Sequence, residues 1–468
     1  MSPAGSGLLR RGWSHHGPVT TPADPAALLR SRAYLQLLAF AAILGVPISA
    51  AVYGFLALAS YLQKEVYIHL PHGLGFSTAP VWWPLPMLVI GAVLAALTIQ
   101  YLPGRGGPSP AGGFKMHGPP TPVQLPGVIL AALATLVFGI VLGPEMPSIL
   151  IGGGLAVLAI RLTRRNLPEQ ATRVLAASGS FAGVNALLGN PLVGAFLLME
   201  ASGLGGPVLV LTLLPGLLAA GVGTLIFIGL DNWTGLGNFS LAIPGLPHFG
   251  QVTVAEFGWA LVIGLAAAPV GSGIRWLGRF LHPYAERRTL LLLPVAGLVI
   301  GGLAVIYAEA TGQASTDVLF SGQSALPHLV QHASTYTIGA LLLLLLCKGV
   351  AYGVSLGNFR GGPVFPAMFL GAAGGIAMSH LPGLPLVAGV AMGIGAMSVV
   401  MLSLPLTSVL LASLLVASDA IAVMPLVIVA VVVAHVTAAR LAPPAEPEKG
   451  EAAATQPGAA AKVTDRAP

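Results

Sequence analysis

Charge is the first thing this sequence lacks. Only 8% of its 468 residues are Asp, Glu, Lys or Arg, against about 25% in ordinary soluble domains. Hydrophobic residues make up 55%, and the mean hydropathy is +0.87. A soluble globule could not hide that much apolar surface from water, and a disordered chain needs the opposite balance. Cysteine is nearly absent. The one thiol, Cys347, excludes an intrachain disulfide and a cysteine-based metal cluster. The 11 histidines show no ligand spacing, so no metal and no cofactor is expected. Ser178-Gly179-Ser180 lacks the elbow or the HExxH pattern of a hydrolase, and no enzyme is expected; the small residues at 176–186 read as tight helix packing.

What remains is a helical membrane protein. The apolar runs are long and unbroken, unlike the short alternating strands of a membrane barrel. The net charge of +6 comes from cations clustered between these runs. That pattern fits orientation by the positive-inside rule rather than a nucleic-acid partner.

The chain divides into three parts. Residues 1–33 read as a polar cytoplasmic leader, with Arg10, Arg11, Arg30 and Arg32 ahead of the first apolar run. Residues 34–440 form the membrane domain, with related halves near 80–230 and 252–440. Residues 441–468, rich in Ala and Pro, read as a disordered cytoplasmic tail. The predicted helices are 34–62, 81–101, 123–142, 147–162, 171–187, 191–202, 207–230, 252–281, 288–311, 335–354, 364–378, 384–400, 404–416 and 421–439. Several are too short to cross about 30 Å of hydrocarbon. They are flanked by Gly and Pro at Gly143-Pro144, Gly189-Asn190-Pro191, Gly361-Gly362-Pro363 and Leu404-Pro405. Helices that start in mid-membrane aim unpaired N–H groups and a positive dipole end at whatever lies there. That is a means of holding an anion.

The two halves echo each other. LGPEMPSILIGGGLA (142–156) and GGPVFPAMFLGAAGG (361–375) share Gly, Pro, two residues, Pro, then a Gly-rich apolar helix. NPLVGAFLLMEAS (190–202) matches LPLTSVLLASLLV (404–416) in the same order. Duplicated halves with interrupted helices place a transport site at the repeat interface.

With these segments in view the sequence resembles the CLC family of chloride channels and proton-coupled chloride transporters. Gly143-Pro144-Glu145-Met146-Pro147 looks like the family's Gly-Lys/Arg-Glu-Gly-Pro motif. Gly362-Pro363-Val364-Phe365-Pro366 stands where the family has Gly-x-Phe-x-Pro. Asn190-Pro191-Leu192 with Glu200 looks like the Asn-Ala-Pro-Leu…Glu-Glu helix, and 319–326 (LFSGQSAL) resembles a loop of prokaryotic members. The resemblance implies an all-α polytopic fold built as an inverted repeat of two halves. It also implies a homodimer joined through 191–230 and 404–439, with an anion pathway inside each chain.

It further implies roles for residues. Glu145 is one of three carboxylates between Val123 and Leu230; Glu169 falls in a charged loop. By resemblance Glu145 is the gate, its carboxylate occupying the outer anion site until protonated or displaced; an intramembrane carboxylate is functional by default. Pro144, Glu145 and Met146 of the first turn, and Val364 and Phe365 of the second, are the candidate anion-binding residues. Ser109, in the degraded serine motif 106–110 (GGPSP), is a further candidate or else a surface loop serine. The sequence departs from the family in three places. Pro363 has no N–H, so one donor is missing. No tyrosine follows His435. Ala201 replaces the inner proton-transfer glutamate, leaving Glu200 either as a proton-path substitute or as a structural carboxylate. Lys348 and Arg360 near the second turn either attract anions or snorkel to the interface.

The expected function is passage of inorganic anions, chloride first, channel-like because of Ala201. The alternatives are an anion/proton antiporter with an unusual internal relay, or a poorly conducting membrane protein with a binding or regulatory role. Multi-pass insertion in a prokaryotic plasma membrane is expected.

Overall fold

A computed structural model describes residues 29–442 apart from 117, 164–166, 189, 204–205, 235–242, 244–245, 251 and 417–418. Most of the predicted leader and tail therefore lies outside the described residues.

Among the described residues the regular elements are all helices. Helix α1 (Arg32–Lys64) continues through a π turn to Gly73. After it come α2 (Pro84–Tyr101), α3 (Leu125–Val137), α4 (Glu145–Thr163), α5 (Glu169–Leu188), α6 (Pro191–Ser202) and α7 (Gly206–Thr234). The second half holds α8 (Val254–Arg287), α9 (Thr289–Thr311), the short α10 (Leu326–Gln331), α11 (Ile338–Asn358), α12 (Val364–Ser379), α13 (Leu386–Leu402), α14 (Pro405–Leu415) and α15 (Ala420–Leu441). Among the described residues eight helices are long and apolar enough to cross a membrane, while α3, α6, α12, α13 and α14 are shorter apolar helices.

Local sequence explains where these helices begin. Proline stands in the first turn of α2, α3, α6 and α14, where its missing N–H costs nothing and its fixed φ suits the helix. Asn190 caps α6 by accepting from the Leu192 N–H at 2.9 Å, and Thr253 with Glu256 forms a capping box at the start of α8.

The sequence predicts one helix over 123–142, and here the structure differs. Helix α3 stops at Val137, and Gly139 takes φ +95°. The chain from Phe138 to Pro144 is then non-helical, and from Gly139 onward it is buried inside the protein. Its backbone groups find other partners: Tyr67 donates to the Phe138 carbonyl at 2.9 Å, the Phe320 N–H to the Gly139 carbonyl at 3.0 Å, and the Val141 N–H to Ser355 Oγ at 3.2 Å. Irregular backbone at membrane depth requires such complete pairing.

The repeat is visible in packing. In the first half α4 crosses α5 with Gly152 against the Gly179 backbone; in the second α12 crosses α13 with Gly371 against the Gly393 backbone. A Cβ at any of these four positions would sit 2.1–2.4 Å from the facing carbonyl oxygen. Such close approach is how helices associate without a hydrophobic drive from water. Helices α6 and α14, the second echoed pair, touch each other. Large apolar side chains such as Leu192, Leu225, Leu406 and Ile421 remain exposed on the outside of these helices and their neighbours.

Candidate anion site

The echoed Gly-Pro turns meet at the centre. Gly143 and Gly362 form an antiparallel pair in which each N–H donates to the other's carbonyl at 2.7 Å. These are the two residues that stand in register in the sequence echo, and α4 and α12 both start two residues later. Two helix N-termini from opposite halves thus converge, and with them two positive dipole ends.

Glu145 fills the convergence. It is 0% exposed. Its Oε1 accepts the Phe365 N–H at 2.7 Å, and the N–H groups of Glu145 itself and of Val364 also act on the carboxylate. Its Oε2 has no hydrogen-bond partner. Both glycines make room for it: a Cβ on Gly143 or Gly362 would fall 2.2 or 1.8 Å from Oε2. Met146 is buried in the same turn. Pro144, which has no N–H to offer, instead accepts through its carbonyl from the Ser148 N–H and hydroxyl at 2.9 and 2.8 Å. Glu145, Met146, Val364 and Phe365 are therefore brought together, and Pro144 contributes the turn.

Ser109 is placed elsewhere. Its Oγ accepts from its own loop at the Ala111 N–H and lies 3.3 Å from His282 Nδ1 on α8. The hydroxyl is engaged with α8, and the loop, rather than the side chain, approaches the site.

Glu200 lies in a cap. Its Oε1 accepts the Leu406 N–H at 2.8 Å, and its Oε2 accepts the Thr407 N–H at 2.8 Å and the Thr407 hydroxyl at 2.6 Å. These are first-turn donors of α14, left without intrahelical partners. A carboxylate at a helix start also complements the dipole.

Lys348 and Arg360 are not interfacial. Lys348 is 0% and Arg360 8% exposed, which excludes snorkelling for both. Lys348 Nζ donates to the carbonyls of Asp317, Val318, Leu319 and Phe320 at 2.9, 3.2, 2.9 and 3.3 Å, and lies 4.4 Å from the centre of the Phe369 ring. It pins the 317–320 loop over α12. Burial pushes the carboxyl of loop residue Asp317 above its usual range, opposed by the Tyr336 hydroxyl at 3.0 Å and by Lys348. Arg360 donates to the carbonyls of Arg105 and Phe359 at 3.3 Å each, tying the serine loop to the end of α11.

Sequence reasoning missed Tyr352. It is fully buried, and its hydroxyl donates to the Pro363 carbonyl at 2.6 Å. Lys348, Tyr352 and Ser355 follow i, i+4, i+7 spacing on α11, one helix face. Along that face they hold the 317–320 loop, the second Gly-Pro turn and the first half's broken segment in turn. Three polar residues at helical spacing in an apolar run are the signal that would have found them. Among the described residues no cluster of three or more His, Cys, Asp or Glu could hold a metal.

Residues 87–439 match the family model described as voltage gated chloride channel. The protein YfeO of Escherichia coli (strain SMS-3-5 / SECEC), whose name assigns it to ion transport, is 28% identical over 373 residues, covering 78% of this chain and 84% of that one. Its namesake in Salmonella choleraesuis is 30% identical over 380 residues, covering 80% and 87%. Two solved structures share the fold. One is a slow cyanobacterial Cl−/H+ antiporter, with TM-score 0.70 and 19% identity over 86% of this chain and 94% of that one. The other is a CLC-type fluoride/proton antiporter, with TM-score 0.65 and 21% identity over 86% and 95%. With its broken helices, its paired Gly-Pro turns and a family match across most of its length, this chain belongs to the CLC family of anion transport proteins.

Proposed function

We propose that this protein passes inorganic anions, chloride foremost, through a pathway within each subunit, and that Glu145 is the gate. One observation carries the reading: a fully buried carboxylate seated where two helix N-termini converge, bonded through one oxygen and unpartnered at the other. A carboxylate held by backbone N–H groups mimics a chloride in the same seat. Protonation weakens its hold on those donors and lets it swing away. The freed Phe365 N–H and the dipole ends of α4 and α12 then replace part of the anion's lost hydration.

Passage uncoupled from protons is the favoured form. Proton exchange needs a titratable carboxylate at both ends of the path. Ala201 stands at the inner position, and both oxygens of Glu200 are occupied in the α14 cap. The same fold in two proton-coupled antiporters supports the second reading, an exchanger with another internal relay. A poorly conducting regulatory protein is the third. The exposed apolar faces of α6, α7, α14 and α15 suit a homodimer within the bilayer, and the bacterial relatives suit the plasma membrane of a prokaryote.

Proteoliposomes loaded with chloride and a pH-sensitive dye separate these readings. Efflux without proton movement is the expected result. Efflux that drives protons uphill selects the exchanger, and no efflux at all selects the third reading.

A further inference from the structure

A cavity of about 400 Å³ opens at the start of α1 and shares no lining residue with the Glu145 seat. Tyr34, Leu37 and Phe40 of α1 line one side, and Ala171, Val174 and Leu175 of α5 the other. Leu211 of α7 completes the wall. The inner surface is apolar because its polar groups are committed to the protein. Pro215 lies inside α7 and has no N–H to bond the Leu211 carbonyl four residues back. Tyr34 supplies the missing donor, its hydroxyl reaching that carbonyl at 3.2 Å. Ser31 accepts from the Tyr34 N–H at 3.1 Å. Gln36 and Gln170 stand at exposed positions, at the mouth. What the slot offers a ligand inside is hydrocarbon contact, which suits no polar group.

The mouth has the opposite character. Arg30 and Arg32 flank the lining residue Ser31, and both are exposed. Arg161 ends α4 next to Ile160, which packs in one small core with Leu37, Phe40 and Leu167. None of these three arginines forms an ion pair among the described residues. Glu169, at the start of α5, is taken by Arg173 at 2.6 Å. Along the same helices Leu35, Val210 and Leu214 are exposed apolar side chains, so the slot sits in a surface made for hydrocarbon.

We propose that this cavity binds an anionic phospholipid, with one acyl chain between α1 and α5 and the phosphate on Arg30 and Arg32. An apolar slot with unpaired cations at its mouth matches both ends of such a molecule. Each cation facing an anionic headgroup adds about fivefold to the affinity. A zwitterionic lipid fills the slot without answering the charge. The volume falls at the lower end of the range of about 300–1,000 Å³ for ligand pockets, which suits one chain rather than a whole lipid. The site is separate from the anion pathway, and a lipid held there ties α1, α5 and α7 to one another.

The test is a lipid titration of the full-length protein in nonionic detergent, read by native mass spectrometry. The probes are dioleoyl phosphatidylglycerol and dioleoyl phosphatidylcholine. Phosphatidylglycerol should bind saturably and at least about tenfold more tightly than phosphatidylcholine. Arg30→Gln combined with Arg32→Gln should weaken phosphatidylglycerol by about twentyfold and change phosphatidylcholine by less than about twofold. Ala171→Phe fills the slot and should weaken both lipids. Ala33→Trp, at an exposed lining position, serves the same purpose if Ala171→Phe does not fold. Equal affinity for the two lipids in the wild type overturns the proposal, as does unchanged phosphatidylglycerol binding in the arginine variant. Loss of binding in the arginine variant with none in a folded slot-filling variant places the lipid on the outer surface and overturns the slot. Absence of saturable binding overturns the proposal as well and makes residues 1–28 of the chain the occupant to examine.

Discussion

Glu145 and Glu200 are set up alike and finish differently. Each is a carboxylate of the first half that accepts N–H groups from the start of a helix in the second half. At Glu200 both oxygens are bonded, one of them twice. At Glu145 only one oxygen is bonded and the other has no hydrogen-bond partner, in a place with no exposure to solvent. A buried acceptor without a partner costs about 1–3 kcal/mol, more when charged. The Glu200 arrangement is at rest and the Glu145 arrangement is not. Partner count therefore separates the two carboxylates, where residue type and helix position alone do not, and it fits the proposal that Glu145 moves and Glu200 stays.

Removing the movable group tests the contrast most severely. If protonation releases Glu145, anion flux in the wild type rises as pH falls, by up to about tenfold per pH unit, the mass-action limit for one titrating group. Glu145→Gln mimics the protonated state and Glu145→Ala empties the seat, so both should give high flux that does not vary with pH. Liposome efflux measured at several pH values checks this, and wild-type-like pH dependence in both variants would remove Glu145 from the gate.

The seat can also be spoiled without touching the carboxylate. Gly362→Ala puts a methyl group 1.8 Å from Oε2, a separation that forces movement. The turn itself is held by the Gly143–Gly362 pair, whose N–H and carbonyl groups are unaffected by the substitution. The carboxylate is the element free to leave. Gly362→Ala is expected to retain the fold and show most of the loss of pH dependence seen in Glu145→Ala. Intact pH dependence with an unchanged flux would mean that the seat tolerates a Cβ and that Glu145 does not occupy it during passage.

Glu200 should respond in the opposite way. Glu200→Ala strips the α14 start of its acceptor and should cost about 1–2 kcal/mol, the usual loss for a helix cap. The readout is a lower thermal midpoint, with flux per folded protein and its pH dependence unchanged. An uphill proton signal in the wild type that disappears in Glu200→Gln would make this carboxylate a relay and would select the exchanger reading.

The sequence made the architecture readable because the broken helices leave marks. Gly-Pro pairs ended runs at the right places, and the register of the 142–156 and 361–375 echo is the register in which Gly143 and Gly362 pair. Glu145 stood out as a candidate because a carboxylate at a helix start in an apolar run has few roles, and its role as the gate is a proposal. Partners distant in sequence were not readable. Glu200 and Thr407 lie 207 positions apart, and no local pattern ties them together. For Lys348 and Arg360 the sequence left anion attraction and interfacial snorkelling both open, because it does not say how many carbonyls a folded loop will turn toward a buried cation. For Ser109 the sequence left an anion ligand and a surface loop serine both open, because nothing local reveals His282 facing its hydroxyl. The sequence extends helix α3 too far because apolar content continues through 138–142, although the backbone leaves the helix after Val137.

The smallest effect concerns how firmly the Glu145 seat is built. Tyr352 donates to the Pro363 carbonyl at 2.6 Å and is fully buried. Pro363 leads directly into the Val364 and Phe365 donors, so this bond sets the angle at which α12 presents its start. Tyr352→Phe deletes one hydroxyl and leaves the ring packed. The net loss for one buried hydrogen bond is about 0.5–1.5 kcal/mol, and the Pro363 carbonyl, left without its donor, accounts for the upper part of that range. Thermal stability should fall modestly. A turn that is less tightly held should also bind both of its occupants less well, the Glu145 carboxylate and the anion. Flux at neutral pH should therefore rise slightly while its half-saturating chloride concentration also rises, each by about two- to threefold. A loss of stability with both flux quantities unchanged would show that Tyr352 braces α11 against α12 without reaching the donors. A shift in the flux quantities with no loss of stability would place the hydroxyl in the pathway itself.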